Sequence, residues 1–294
     1  MPLQEGVVPT KVGLIGFLLG LVLGSFVLVL AERSLTKKSF WGRSYCPHCK
    51  KNLRWYDLFP VLSYIFLRGK CRYCKKGIGI EYLIVEVVMG VLIGYLFVLN
   101  PKIIPELFYK TFFIGVLISL FITDLKKMLI PDRIIFPSLM IGFVLSLGIT
   151  IYKISYLYSY LSQNQIGKYL LPPYSDYFYR HALSAAYPFL TGILMAVVIG
   201  GFFWGLIIIT KGKGMGGGDV KLGAFIGLML GFPQSLIAIF LSFILGASFS
   251  LFLIAFKKKH FGQSIPFGPF LVLGSLIVLF WGNQIFDWYL KLGS

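Results

Sequence analysis

Two aspartates in a very apolar chain are the residues whose chemistry stands out. Asp124 lies in Thr-Asp-Leu-Lys-Lys-Met-Leu-Ile-Pro-Asp and Asp219 in Gly-Met-Gly-Gly-Gly-Asp-Val-Lys-Leu, each at the end of a hydrophobic segment. Holding a carboxylate near a bilayer costs roughly several kcal/mol unless it is paired or used. Two carboxylates brought close together cannot both ionise easily, so they share a proton. The ionised one can take a proton from water while the protonated one polarises a carbonyl. That is amide hydrolysis without a metal or a covalent intermediate, the chemistry of a membrane-embedded aspartyl protease. Gly216, Gly217 and Gly218 would let a peptide backbone approach Asp219 closely. Each aspartate also has a plainer reading: Asp124 paired with Lys126 or Lys127 at a helix end, and Asp219 capping the helix that follows. A phosphate cradle is excluded for the glycine run, which lacks the Lys-Ser/Thr ending of a P-loop. Asp132, beside Pro131, reads as a helix cap, and Asp57 as part of the fold of a basic loop.

A second constellation is made of sulfur. The four cysteines are Cys46, Cys49, Cys71 and Cys74, in two C-x-x-C knuckles separated by 21 residues. Four thiolates so arranged suit tetrahedral zinc, although the separation slightly exceeds the usual range of about 15–20. The loop lies on the side where thiols stay reduced, so disulfides are disfavoured. A structural metal would supply folding energy to a loop too small to bury a core. His48 stands between two ligands and reads as a bystander.

These groups must be positioned by apolar helices. Of 294 residues, 57% are hydrophobic and 13% charged, against about 25% charged in soluble domains. Apolar stretches at about 13–31, 82–99, 107–123, 134–152, 184–210, 234–256 and 266–286 are long enough to span, with 220–231 as a short eighth. The first is read as a retained helix, since no basic leading region precedes it and Glu32-Arg33 follow. With the amino terminus outside, the inner loops 32–81, 125–133, 211–221 and 257–264 hold twenty-one of the twenty-eight Lys and Arg. That asymmetry is the positive-inside rule, and it accounts for the net charge of +17 without nucleic acid. Both aspartates then fall on the inner side. The expected architecture is an all-α polytopic membrane protein of about eight transmembrane helices, with a small cytoplasmic zinc-binding module between the first two. Its parts are a first helix (1–31), the module (32–81) and a transmembrane peptidase domain (82–294). The Tyr-rich segment 153–183 lies outside, its rings at headgroup level. No internal repeat is apparent.

At these residues the chain resembles the bifunctional type IV prepilin peptidases, the bacterial leader peptidases of pilus and type II secretion systems. The matches run in order: Gly24-Ser25-Phe26, the two cysteine knuckles, Leu53 to Leu58, Pro60 to Tyr64, and Glu81-Tyr82 with Glu86. Then come Asp124 with Ile130-Pro131-Asp132, Gly216 to Leu222, and Ile265 to Leu271. The resemblance implies that Asp124 and Asp219 are the catalytic pair and that Gly216–Gly218 and Lys221 flank the substrate. It implies removal of a basic leader from prepilins or pseudopilins, after a glycine, at the cytoplasmic face of the inner membrane. It also implies methylation of the new amino terminus with S-adenosylmethionine, a second activity associated with the cysteine loop, with Glu86 the candidate cofactor-binding residue. Leader lysines could be received by Glu32, Asp57, Glu81 or Glu86. Two features depart from the family pattern: Leu28 stands where asparagine is common, and 153–183 is longer than expected.

Three other readings compete. One is a peptidase without methyl transfer; another is a non-enzymatic zinc-ribbon protein that docks cytoplasmic partners. The third, a proton-coupled transporter, lacks an acid near mid-membrane in any span.

Overall fold

A computed structural model describes residues 8–40, 42–99, 104–212, 215–256 and 266–292. The expected inner loop 257–264, together with Ile265, Lys102, Lys213 and Gly214, lies outside the described residues. The helices are α1 (Val8–Leu35), α2 (Leu62–Phe66), α3 (Ile80–Leu99), α4 (Ile104–Lys127), α5 (Asp132–Gln163), α6 (Gln165–Lys168), α7 (Tyr177–Ile209), α8 (Gly217–Leu230), α9 (Gln234–Ala255) and α10 (Gly268–Leu292). Among the described residues seven helices are long and apolar enough to cross a membrane. Side chains such as Leu14, Val22, Met140, Val197 and Phe240 stand exposed on them, the reverse of a soluble fold and natural where lipid is the solvent. The chain divides into two compact units, Met1–Lys127 and Met128–Ser294.

In the first unit α1 packs along α3. Lipid offers no hydrophobic drive for helices to associate, so close approach through small residues must supply the attraction. A Cβ on Gly20 would meet the carbonyl oxygen of Met89 at 2.5 Å, and one on Gly24 would meet the Cα of Glu86 at 2.8 Å. From the other side, Gly90 and Gly94 of α3 receive the ring and backbone of Phe17. Helix α4 lies against both, burying Ile114, Leu117 and Leu120.

The second unit is organised around α8. Its 14 residues rise about 21 Å, well short of the roughly 30 Å hydrocarbon core. From Leu222 to Met229 it is almost wholly buried, packed on α5, α7, α9 and α10. A Cβ on Gly227 would meet the Met195 carbonyl at 2.5 Å, and one on Gly192 would meet that of Leu228 at 2.6 Å, so the α7 and α8 backbones touch. The helix stops at Gly231, whose φ of +66° needs a residue without a Cβ.

One expected loop is mostly helix. The span read at 134–152 continues as α5 to Gln163, and α7 already begins at Tyr177. Residues 152–163 contain neither Gly nor Pro, so nothing breaks the helix before Asn164; the Pro172-Pro173 pair comes only later. At 32 residues α5 is about 48 Å long and outruns the core by several turns. Tyr152, Tyr156 and Tyr160 stand exposed one turn apart along that extension.

The glycine seam gives a direct test. Gly20→Ile should destabilise the protein by about 1–3 kcal/mol through backbone overlap, seen as a lower melting temperature in detergent. Gly201→Ala, where no described residue lies within 4 Å of the added Cβ, should be near neutral.

Candidate active site

In the second unit the glycine run leads directly into α8. Gly216 is its N-cap residue and makes no side-chain cap bond, so Asp219 lies in the first turn rather than at the cap. Its amide donates to the Gly216 carbonyl at 3.1 Å, and its side chain is half-buried. A carboxylate there is favoured by the positive end of the helix dipole. Among the described residues nothing lies within 4 Å of a Cβ built on Gly217, and the two leading glycines are exposed, which leaves open space for an approaching backbone. Gly218 instead abuts the Ile130 side chain at 3.0 Å.

Asp132 corrects the capping expectation. The N-cap of α5 is Pro131, and the Asp132 carboxylate makes an ion pair with Lys221 of α8. Lys221 also lies 5.0 Å over the Phe136 ring. The Ile130-Pro131-Asp132 stretch and the Gly218-to-Lys221 stretch, far apart in sequence, are therefore neighbours through two contacts. Lys221, expected beside substrate, spends its charge on this pair.

Asp124 belongs to the first unit, in the last turn of α4, and is only 6% exposed. Lys126, one of its expected partners, turns elsewhere: its Nζ lies 2.8 Å from Glu81 Oε1 and 3.5 Å from Glu32 Oε1. The Tyr82 hydroxyl donates to the Glu32 carboxylate at 2.8–2.9 Å. Three helices thus meet in one polar cluster.

The cysteine module is two copies of one turn. Cys46 and Cys71 each donate an amide to the lysine carbonyl five residues on, at 3.0 and 2.8 Å. The residues flanking each turn form an isolated bridge, Tyr45 with Asn52 and Lys70 with Gly77. Lys50 and Lys75, one residue past each knuckle, both have positive φ. The short repeat C-x-x-C-Lys-Lys carries this, so a repeat exists where none was expected. The four sulfurs lie within 4.8 Å of one another, with Cys46 and Cys74 at 3.8 Å. Tetrahedral Zn–S bonds of about 2.3 Å imply S···S distances of about 3.8 Å, so the donor set fits zinc. The Cys74 amide pulls the Cys71 thiol down to about 7. Against the pull of the Lys76 amide, burial and the neighbouring sulfurs push Cys74 up to about 11. Crowded sulfurs cannot all ionise without a cation among them. Asp57 braces the module as expected: it accepts from the Arg54 amide at 3.2 Å and pairs with Arg72 at 2.7 Å.

Lined in part by this module, and still within the first unit, is a cavity of about 980 Å³. Its walls include Glu32, Tyr45, Glu81, Tyr82, Glu86 and Lys126. Glu86 is 8% exposed and accepts from the Val61 amide at 2.7 Å, while Ser25 of α1 hydrogen-bonds it as well. Asp57 and Glu86 are thus engaged within the fold, and of the four expected leader acceptors Glu32 and Glu81 present the accessible carboxylates. Leu28 is fully buried.

A model of the bacterial peptidase A24 N-terminal domain matches residues 18–99, and the type IV leader peptidase family model matches 111–171 and 174–251. A Bacillus subtilis protein named prepilin leader peptidase/N-methyltransferase is 32% identical over 94% of this chain and 97% of its own. The chain belongs to the type IV leader peptidase family. An Aeromonas salmonicida protein of the same name is 31% identical over 85% of this chain and 75% of its own, and one from Pseudomonas aeruginosa is 28% identical over 93% and 92%. No solved structure matches.

Within this leader peptidase the N-terminal match spans most of α1, the cysteine module and α3, whereas both aspartates fall in the second match. Lys126 was expected to pair with Asp124, and no packing role was expected of the glycines of α1. Gly13, Gly16, Gly20 and Gly24, spaced by three and four, were the available signal for a close helix contact. Nothing local marks Lys126, whose partners lie 45 and more residues away.

Replacing Cys46 or Cys71 by serine removes one donor from a cluster that could hold a metal; the metal content of the purified protein should fall, and residues 32–81 should open to limited proteolysis.

Proposed function

We propose that this protein is a membrane aspartyl endopeptidase that removes the basic leader of a prepilin or pseudopilin after a glycine, and then N-methylates the new terminus. The observation that carries the reading is the pair of carboxylates in the family-matched segment, Asp124 almost fully buried in the last turn of α4 and Asp219 in the first turn of α8. The site would face the cytoplasm of a bacterial inner membrane, a placement supported by the concentration of Lys and Arg in the inner loops.

In this reading Asp124 and Asp219 share one proton. The ionised member removes a proton from water, and the oxygen attacks the carbonyl carbon of the scissile glycine. The protonated member donates to the carbonyl oxygen as charge develops there. Collapse of the tetrahedral intermediate breaks the C–N bond, with the amine leaving as it is protonated. The open face of Gly216 and Gly217 suits a substrate backbone running close to Asp219. Lys221 would act from its pair with Asp132, holding the start of α8 against α5.

Cys46, Cys49, Cys71 and Cys74 would hold zinc in a structural role. Methyl transfer is proposed in the cavity of the first unit. Its volume suits a small-molecule ligand. Its mixed set of carboxylates and ammonium groups suits S-adenosylmethionine, whose amino-acid end carries both charges. When bound, that cofactor supplies an electrophilic methyl group. The residues of this chain would orient it and accept the proton that the amine loses. Glu86, already hydrogen-bonded by Val61 and Ser25, would shape the wall of the site and brace it. A peptidase lacking the second step is the alternative favoured by Leu28, an apolar and buried residue where the family often carries asparagine.

Asp124→Asn and Asp219→Asn should each slow cleavage of a prepilin by at least about a hundredfold while expression and zinc content stay unchanged. Weighing the product formed with S-adenosylmethionine present reads both activities: loss of the leader, then gain of one methyl group. Cys71→Ser should reduce methylation more than cleavage. Cleavage at the native rate by either aspartate variant would end the peptidase assignment.

A further inference from the structure

The last turn of α4 carries Asp124, which is buried together with Ile122 and Thr123 just before it. Burial ends there: Leu125, Lys127 and Met128 beyond it are exposed. Just beyond, Met128 has a φ of +49°, so the chain leaves the helix abruptly. Past Asp124 the turn is tied down by polar contacts. Lys126 reaches Glu81 at the start of α3 and Glu32 near the end of α1, and Tyr82 orients Glu32 through both carboxylate oxygens.

We propose that Lys126 is a positioning residue for Asp124: its ion pair with Glu81, shared with Glu32, fixes the last turn of α4 on the ends of α1 and α3. Two residues on the same helical turn move together, so a lysine anchored at its tip limits both rotation and fraying at Asp124. An isolated exposed pair would be too weak for this role. Here one cation serves two carboxylates, one of them pre-oriented by a tyrosine, and neither acid has to be brought from a mobile loop. The proposal rests on the reading of Asp124 as a catalytic carboxylate, because misplacing such a group by about 1 Å can cost on the order of a hundredfold in rate.

The experiment compares the full-length protein with Lys126→Arg, Lys126→Gln, Lys126→Glu, and the exchanged pair Lys126→Glu/Glu81→Lys. Steady-state cleavage of a prepilin is measured alongside hydrogen exchange of the α4 amides. Lys126→Gln should lower kcat roughly tenfold, leave KM within about twofold, and speed exchange in the last turn of α4 without lowering the melting temperature. Lys126→Arg should retain most of kcat. Lys126→Glu should be the poorest variant, and the exchanged pair should recover most of what it loses, a reversal that generic loss of fold cannot give. Wild-type kcat in Lys126→Gln, or no recovery in the exchanged pair, overturns the proposal. If wild type and Asp124→Asn cleave alike, the peptidase reading fails instead. The exchange data then still decide whether Lys126 holds the turn: unchanged protection in Lys126→Gln overturns it.

Discussion

Backbone-to-backbone contact at glycines is the constraint on which the remaining structure depends. Helices in lipid gain little by hiding apolar side chains from one another, so they associate where their surfaces can come unusually close. Gly20 and Gly24 bring α1 onto α3 in one unit, and Gly192 and Gly227 bring α7 onto α8 in the other. Each seam delivers a chemical group. The first places Ser25 beside Glu86, and the second seats the short helix whose opening turn holds Asp219.

Polar groups follow a second rule that acts within these seams. A carboxylate in an apolar setting has to be engaged, and the structure shows several ways of doing so. Glu86 accepts a backbone amide from the cysteine module, Asp57 takes an arginine and an amide, and Asp132 takes a lysine. These acids are occupied by the fold. Glu32 and Glu81 retain partial exposure on a cavity wall, where both pair with Lys126, and Asp124 and Asp219 sit at helix ends. Burial thus separates Glu86 and Asp57, held inside the fold, from the partly exposed Glu32 and Glu81, a distinction that composition alone does not make.

The cysteine module shows how a small polar insert is built without a core. Two copies of one turn, each with a lysine in the left-handed region after its second cysteine, bring four sulfurs to the spacing of a tetrahedral site. Arg72, inside the second knuckle, reaches Asp57 and lies 4.8 Å over the Tyr56 ring, so the stretch between the knuckles is tied to them by charge and by an aromatic face. The same insert reaches the membrane helices through the Val61 amide on Glu86.

Much of this was legible in the amino-acid order, for local reasons. Span lengths follow from runs of apolar residues, the cysteine cluster from two short spacings, and the special status of Asp124 and Asp219 from the cost of charge beside lipid. The extension of α5 to Gln163 was missed, although the absence of any breaker before Asn164 was there to be read. Other features had no local signature. Asp132 looked like a cap because its neighbours are a proline and a helix start; that it faces Lys221 depends on how α5 packs against α8, 89 residues along the chain. Lys126 looked like a partner for Asp124, two residues away; its meeting with Glu81 and Glu32 exists only once three helices are stacked. Hydrophobicity and spacing are properties of neighbours in the chain, and they determine elements and ligand sets. The pairing of charges on different helices depends on rotation and register between them, which side-chain packing alone decides.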